Sequence, residues 1–350
     1  MKDFSRNIIK ETSIIKDALH ALNSLGSKEN LTLFVVNNSQ QMVATLTDGD
    51  IRRGLLSGKN INDSITSVMF RNFSFLEKDR FSLDDIREIR KKEIELVPFL
   101  DSNKKILRVI DLKHLRSVLP LDAVIMAGGE GKRLKPLTDN LPKPLLKVGD
   151  KPIIEHNIDR LRSFGIDTIF ISINYLGDKI SAYFGDGKNK GISIRYIRED
   201  KPLGTIGSVN CIKDYSHDTI LVMNSDLLTD IDVEDFYRSF IERKADLSVA
   251  TIPYRVNVPF AVVETDEERI LSLKEKPSYT YYSNAGIYLL RKELLKYIPA
   301  GTHYNATDLM EKLISEGKKV SYYPILGYWL DIGQAEDYEK AQEDIRHLKL

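Results

Sequence analysis

The stretch from Ala123 to Pro152, AVIMAGGEGKRLKPLTDNLPKPLLKVGDKP, restricts the fold more than any other part of the chain. An apolar run, Ala123 to Ala127, delivers the backbone into Gly128, Gly129, Glu130 and Gly131. Lys132 and Arg133 follow, and Lys143 stands between Pro142 and Pro144. A short apolar run ending in glycines reads as a buried strand feeding a loop whose amides can approach a phosphate. Cations fixed beside such a loop point to nucleotide chemistry.

The surroundings of this loop alternate in pattern. Ala123–Met126, Thr168–Ile173, Ile192–Ile197 and Thr219–Met223 are short apolar runs expected as buried strands. Lys151–Phe164, Leu176–Phe184, Thr205–Ile212 and Asp232–Lys244 are expected as the helices between them. That alternation predicts an α/β fold, a Rossmann-like and mostly parallel sheet with helices on both faces. Ligands of such sheets sit at the carboxyl ends of strands. Both the glycine loop and the Asn224-Ser225-Asp226 turn fall at such ends.

The first part of the chain has another plan. Ile14–Leu25 has helical apolar spacing, Leu31–Val36 and Met42–Leu46 read as strands around the turn Asn37-Asn38-Ser39, and Thr47-Asp48-Gly49-Asp50 opens a helix over Ile51–Leu56. A second unit repeats this weakly: helix Leu83–Lys92, strands Leu96–Leu100 and Ile106–Ile110, helix Asp111–Leu119. Pro120 ends that helix and Leu121 starts the next strand. The expected domains are 1–119 and 121–350, with the boundary at 119–121.

Charge and composition narrow the partners. The chain has 350 residues, with 51 basic and 51 acidic side chains. No global field draws it to nucleic acid or an anionic membrane, so phosphate binding must be local. Cys211 is the only cysteine, which excludes an intrachain disulfide and fits a reducing compartment. The opening MKDFSRNIIKETS lacks an apolar signal region, and no run approaches the ~20 apolar residues of a membrane span. A cytoplasmic protein is expected.

Three glycine-loop chemistries compete. A P-loop needs G-x-x-x-x-G-K-[ST], but Arg133 follows Gly131-Lys132 and no glycine stands five positions before Gly131. A dinucleotide fingerprint needs a third glycine where Leu134 stands. The remaining pattern, G-G-x-G-x-R-L with a downstream P-K-P, resembles the sugar-1-phosphate nucleotidyltransferases (NDP-sugar pyrophosphorylases). Five ordered motifs carry it: MAGGEGKRLKPLT, LPKPLLKVGDKPIIEH, PLGT at Pro202–Thr205, NSDLL at Asn224–Leu228, and EKP at Glu275–Pro277, with NAGIY and YWLDIG following. The resemblance runs from Leu121 nearly to the C-terminus. The first region resembles a tandem CBS domain (a Bateman module), an α+β module, best at TLTDGDIRR.

The family joins a sugar 1-phosphate to the α-phosphorus of a nucleoside triphosphate and releases pyrophosphate. A phosphate monoester is already anionic at pH 7, its second pKa being about 6. No general base is needed; what is needed is in-line alignment and charge neutralisation. No Ser/His/Asp or Cys/His constellation and no metal-binding Cys/His spacing is evident.

The resemblance then implies roles. Ala127, Gly128, Gly129, Gly131, Lys132 and Arg133, with Gly204 and Thr205, form the nucleotide-binding set. Arg133, Lys143, Asp226 and Lys276 are the catalytic set: Arg133 and Lys143 on the triphosphate, Lys276 on the sugar phosphate. Glu199, Glu275, Lys276, Asn284 and Gly286 form the sugar-phosphate set. Asp226 and Asp331 are the expected Mg²⁺ ligands. Thr47 and Asp50 match the residues with which CBS modules hold an adenine or guanine nucleotide; they equally suit a plain helix cap. The second unit has Ile110-Asp111-Leu112-Lys113 there and lacks the pair. CBS modules commonly pair, so a homo-oligomer, a dimer or more, is implied. His156 and Trp329 are expected to be structural.

The sequence departs from the family pattern in three places: Lys132 stands where threonine is common, Ser225 where N-G-D has glycine, and Ile206 where LGTAG has alanine. N-S-D also occurs in mannose-1-phosphate guanylyltransferases and leans toward GTP. The combined architecture resembles bacterial enzymes of surface-sugar activation, among them the glucosamine-1-phosphate guanylyltransferases of the legionaminic acid route. A uridylyl- or thymidylyltransferase on a hexose 1-phosphate, a mannose or heptose 1-phosphate guanylyltransferase, and a catalytically idle nucleotide-sensing scaffold stay open.

Overall fold

A computed structural model describes residues 4–26, 30–77 and 80–348. The chain divides into two compact units, Met1–Val118 and Leu119–Leu350.

The second unit is built on a seven-stranded sheet. In chain order its strands are β1 (Asp122–Ala127), β2 (Thr168–Ile173), β3 (Ser193–Arg198), β4 (Thr219–Asn224), β5 (Leu247–Asn257), β6 (Ser278–Arg291) and β7 (Val320–Pro324). Their spatial order is β3-β2-β1-β4-β6-β5-β7. Only β6 runs against its neighbours, pairing antiparallel with β4 and β5. The sheet is therefore mostly parallel. β1, β2 and β4 are near-continuous apolar runs because both of their faces are covered.

Among the described residues five α-helices accompany it: α1 (Ile153–Ser163), α2 (Gly177–Phe184), α3 (Val233–Glu242), α4 (Ala306–Ser315) and α5 (Ala335–Asp344). Asp232 caps α3 by accepting from the Asp235 N–H at 3.0 Å. One core cluster packs Val124, Phe170, Val222 and Leu290 against Leu309 and Leu313 of α4. A smaller one joins Leu134, Leu146, Ile153, Leu228 and Ile332, tying the tail of the glycine loop to α1 and to the strands that follow Asp226.

The first unit holds two three-stranded sheets of one plan. Ile8–Lys10 pairs parallel with Thr32–Val36, which pairs antiparallel with Met42–Thr47. Leu76–Glu77 pairs parallel with Leu96–Leu100, which pairs antiparallel with Ile106–Asp111. Register irregularities fall at Val35/Val36 and at Phe99/Leu100, equivalent points of the two copies. Phe34, Met42, Leu96, Leu100 and Val109 share one buried cluster across them.

Three expected helices change. Asp111–Leu119 is not helical: Asp111 closes a local turn, its carboxylate accepting from the Lys113 N–H at 3.2 Å, and the chain then runs irregularly to Pro120. The first copy has Thr47 and Asp50 to start a helix there; the second has neither. The segment expected as helix Thr205–Ile212 is a short 3₁₀ turn over Gly207–Cys211, because its backbone is held by the loop before α4 instead. Lys151–Pro152 is a short strand, and α1 starts after it. The sheet's antiparallel side, β5 to β7, carried no sequence expectation.

Candidate active site

Four parallel strands end side by side. Ala127, Ile173, Arg198 and Asn224 are their last residues, with Ile173 opposite both Ala127 and Arg198 and Asn224 opposite Met126. The residues that follow, Gly128, Asn174, Glu199 and Ser225, thus form one row. Gly128, Glu199 and Ser225 of this row floor a cavity of about 310 Å³, bordered also by Gly129, Lys143, Gly204, Thr205, Asn224, Asp226 and His303.

Each wall has a local cause. Gly128 packs closely on the floor: a Cβ there would sit 3.3 Å from a Glu199 carboxylate oxygen and from the Asn174 Cβ, so a side chain would push these neighbours back by a few tenths of an ångström. Gly131 takes φ +64°, its carbonyl accepting from the Thr138 hydroxyl at 2.9 Å, and a Cβ would come within 3.0 Å of Lys143. The loop thereby returns Pro142-Lys143-Pro144 against itself. Lys143 is buried and donates to Asp226 Oδ2 at 2.5 Å.

A two-stranded ribbon brings the second carboxylate in. Leu227–Thr229 pairs antiparallel with Trp329–Asp331, placing Leu227 opposite Asp331, and the Ile332 N–H donates to the Asp226 carbonyl at 3.0 Å. Trp329 anchors the ribbon by donating from Nε1 to the Ala285 carbonyl at 3.0 Å. Oδ1 of Asp226 and Oδ1 of Asp331 are both buried without a hydrogen-bond partner. Burial, then the Asp226 charge, push the Asp331 carboxyl above its ordinary range, opposed by Lys143 and Arg133. Arg133 also lies against Gly333, its guanidinium 3.4 Å from where a Cβ would stand.

Arg133, Lys143, Asp226 and Asp331 therefore converge, although they lie far apart in sequence. Among the described residues no group of three or more His, Cys, Asp or Glu side chains could hold a metal ion. Two bare carboxylate oxygens fit a different arrangement, in which Mg²⁺ takes one or two carboxylates and completes its shell with phosphates and water.

Other expected residues fall differently. Glu199 is buried, accepts from the Ser172 hydroxyl at 2.5 Å and from the Leu203 N–H at 3.0 Å, and belongs to the floor beside Gly128. Gly204, at φ +78°, packs on the Tyr304 carbonyl, and the Thr205 hydroxyl accepts from the Ala306 N–H at 2.9 Å, so Thr205 also starts α4. Lys132 pairs with Glu130 at 3.2 Å on the surface. Ala127 is buried as the last residue of β1. Asn284 donates to the Tyr288 hydroxyl and accepts from the Gly286 N–H, each at 2.9 Å; Gly286 leaves room for Asn224. Glu275 and Lys276 are exposed at the turn before β6 and do not border the cavity. His156 contacts the Val148 carbonyl at 2.9 Å, a structural place.

Two contributors escaped the sequence reading. Asn157 donates to the Leu227 carbonyl at 2.9 Å and so fixes the turn bearing Asp226. Its signal is a polar residue on the apolar stripe Ile153, Ile154, Ile158, Leu161. His303 borders the cavity from the loop before α4 and has no motif to reveal it.

In the first unit, Thr47 and Asp50 border a second cavity, about 570 Å³, with Thr45, Arg53, Phe70 and Phe73. They also form a reciprocal helix cap.

Residues 122–347 match the Nucleotidyl transferase family, and the chain belongs to it. It is 32% identical over 241 residues to the UTP–glucose-1-phosphate uridylyltransferase of Synechocystis, covering 63% of this chain and 62% of that protein. It is 34% identical to the mannose-1-phosphate guanylyltransferase of Mycobacterium tuberculosis, covering 64% of each chain. It is 31% identical to the D-glycero-alpha-D-manno-heptose 1-phosphate guanylyltransferase of Aneurinibacillus thermoaerophilus, covering 65% of this chain and 99% of that one. The chain thus spans less than two thirds of the length of the first two. Among solved structures, HddC from Yersinia pseudotuberculosis complexed with GMP-PN superposes with a TM-score of 0.50 at 26% identity, over 64% of this chain and 99% of that one.

Proposed function

We propose that the second unit is a Mg²⁺-dependent sugar-1-phosphate nucleotidyltransferase, with GTP the favoured donor and glucosamine 1-phosphate the favoured acceptor. The observation that carries it is the meeting of two cations and two aspartates, each with one bare buried oxygen, beside a glycine loop. In this reading the loop amides and Arg133 receive the β- and γ-phosphates, and Lys143 neutralises the transferred phosphoryl group. An oxygen of the sugar phosphate attacks the α-phosphorus while the bond to the leaving pyrophosphate breaks. Lys276 and Glu275, on their exposed turn, hold the sugar phosphate; Asn284 and Gly286 line its side. Mg²⁺ bound by Asp226 and Asp331 would supply positive charge to the phosphates.

Glu199 supports guanine. A carboxylate is acceptor-only, with about four lone-pair sites. Ser172 and Leu203 occupy two of them. The remainder suits guanine, which offers adjacent N1–H and N2–H donors; uracil and thymine flank their single N–H with carbonyls. We therefore place Glu199 on the base side of the site and not with the sugar phosphate.

The first unit is proposed as a regulatory tandem CBS module, residues 1–119, holding an adenine or guanine nucleotide near Thr47 and Asp50. The two similar sheets and the 570 Å³ cavity support that reading. A cytoplasmic enzyme of surface-glycan or nonulosonic acid synthesis, including the legionaminic acid route, fits the whole. Among the described residues no helix is long and apolar enough to cross a membrane.

The test is a matrix of triphosphates against sugar 1-phosphates with Mg²⁺, read by product mass, for the wild type and Glu199→Gln. GTP should lead, and Glu199→Gln should narrow its lead over UTP by about tenfold or more. No product from any pair ends the enzyme reading; product led by UTP or dTTP keeps the enzyme and ends the guanine assignment.

A further inference from the structure

Ser172 interrupts the apolar strand β2 one residue before its end. It is fully buried, as are Ile171 and Ile173 on either side of it. A hydroxyl in such a place costs free energy unless it is hydrogen-bonded. Among the described residues its partner is Glu199, whose Oε1 accepts from it at 2.5 Å. The sheet brings the two together. Ser172 lies opposite Ile197 of β3, and Glu199, two residues past Ile197, continues on the same face.

Glu199 is fixed at every polar group it has. Its N–H donates to the Ile173 carbonyl at 2.9 Å, and its own carbonyl accepts from the Asn174 side-chain amide at 2.7 Å. Oε1 takes the Ser172 hydroxyl, and Oε2 takes the Leu203 N–H at 3.0 Å. The two carboxylate oxygens are thus held by different segments, the interior of β2 and the loop Pro202–Thr205. Among the described residues no cation pairs with this buried carboxylate. Each oxygen keeps accepting capacity, and Glu199 borders the cavity while Ser172 does not.

We propose that Ser172 is a positioning residue which, by locking the plane of the Glu199 carboxylate, makes the site sensitive to the 2-amino group of guanine; this rests on the guanine reading of Glu199. Guanine offers two adjacent donors, N1–H and N2–H. Both reach a carboxylate well only when its two oxygens lie near the plane of the base. The last torsion of a glutamate is broad and sets no such plane by itself. The Leu203 N–H pins one oxygen and leaves the group able to turn about it. The Ser172 hydroxyl pins the other and stops the rotation. A base with one donor, such as hypoxanthine or uracil, needs one oxygen and tolerates a carboxylate that turns. Ser172 should therefore matter for GTP and hardly at all for ITP, which lacks the 2-amino group. Since it does not border the cavity, its effect passes through Glu199.

Steady-state kcat and KM for GTP, ITP and UTP test it, on the full chain with Mg²⁺ and the sugar 1-phosphate that gives most product. The wild type should favour GTP over ITP by about tenfold or more in kcat/KM. Ser172→Ala should raise KM for GTP about fivefold or more, leave KM for ITP nearly unchanged, and keep kcat within about twofold, because a base contact is made equally in ground and transition states. A merely structural loosening would weaken GTP and ITP alike. Ser172→Thr and Ser172→Val have nearly one shape and differ in the hydroxyl; Thr should keep the GTP-over-ITP preference and Val should lose it. Melting temperatures establish that each variant is folded. A preference kept by the Ala or Val variant while Glu199→Gln loses it overturns the role of Ser172 and leaves the guanine reading standing. A wild type that prefers UTP, or yields no product, ends that reading and the proposal with it.

Discussion

Asp50 and Asp226 each border a cavity, one in each unit, and the fold treats the two carboxylates in opposite ways. In the first unit, Asp50 Oδ2 accepts from the Thr47 N–H at 2.9 Å and from its hydroxyl at 2.7 Å, while Oδ1 pairs with Arg53 at 2.5 Å. In the second unit, Asp226 gives one oxygen to Lys143 and leaves the other bare, and Asp331 has a bare buried oxygen as well. An unsatisfied buried polar group costs about 1–3 kcal/mol. A carboxylate whose valences are filled by its own helix needs no ligand to explain it. A carboxylate held bare beside another of like charge needs one.

That contrast breaks first, and hardest, at the cavity of the second unit. Asp226→Ala and Arg133→Ala should each lower turnover about 10²–10³-fold while circular dichroism stays native. Near wild-type rates in both would remove the assigned roles.

Asp331 sharpens the comparison because activity and stability should move oppositely. Its carboxyl is raised above the ordinary value by burial and by Asp226. A raised acid binds its proton more tightly in the folded state, so the ionised form is a cost to folding. That cost is present above the raised value and is relieved as pH falls through it. Asp331→Asn removes the charge at nearly constant shape. It should abolish most turnover yet raise the melting temperature of the metal-free protein by about 2 °C at neutral pH. The gain should shrink on acidification. A variant less stable than wild type at every pH would show that the bare oxygen carries no such cost.

The sequence spoke most clearly where chemistry is local. The glycine loop, the P-K-P turn and the strands β1 to β4 each show within a few residues, since a glycine at positive φ or a run of Ile and Val has a local cause. The ribbon joining Asp226 to Asp331 does not, because its pairing spans about a hundred residues and its strands are three residues long. Asn157 hid for the same reason: its partner is the Leu227 carbonyl, a group that every residue possesses. The second-copy helix at Asp111 failed on the missing cap. The apolar spacing is present, but Asp111 spends its carboxylate on a local turn with the Lys113 N–H, and no Thr/Asp pair stands there to cap a helix.

The smallest expected effect lies at Thr47 and Asp50, and it separates a cap from a ligand site. As a cap alone, Asp50→Ala costs about 1 kcal/mol, seen as a lower melting temperature. As a cap that also holds a nucleotide, it must in addition lose the heat of binding of AMP or ADP, which calorimetry on the full chain with and without the substitution would read. The geometry leaves room for both: the Asp50 carboxylate serves its own helix from one edge of a 570 Å³ cavity that also presents Phe70, Phe73 and Arg53. An aromatic pair can stack a base, and Arg53 can turn from Asp50 to a phosphate. If the stability loss appears and the heat is unchanged, Asp50 resembles Asp226 in residue type only, and the first cavity needs another explanation.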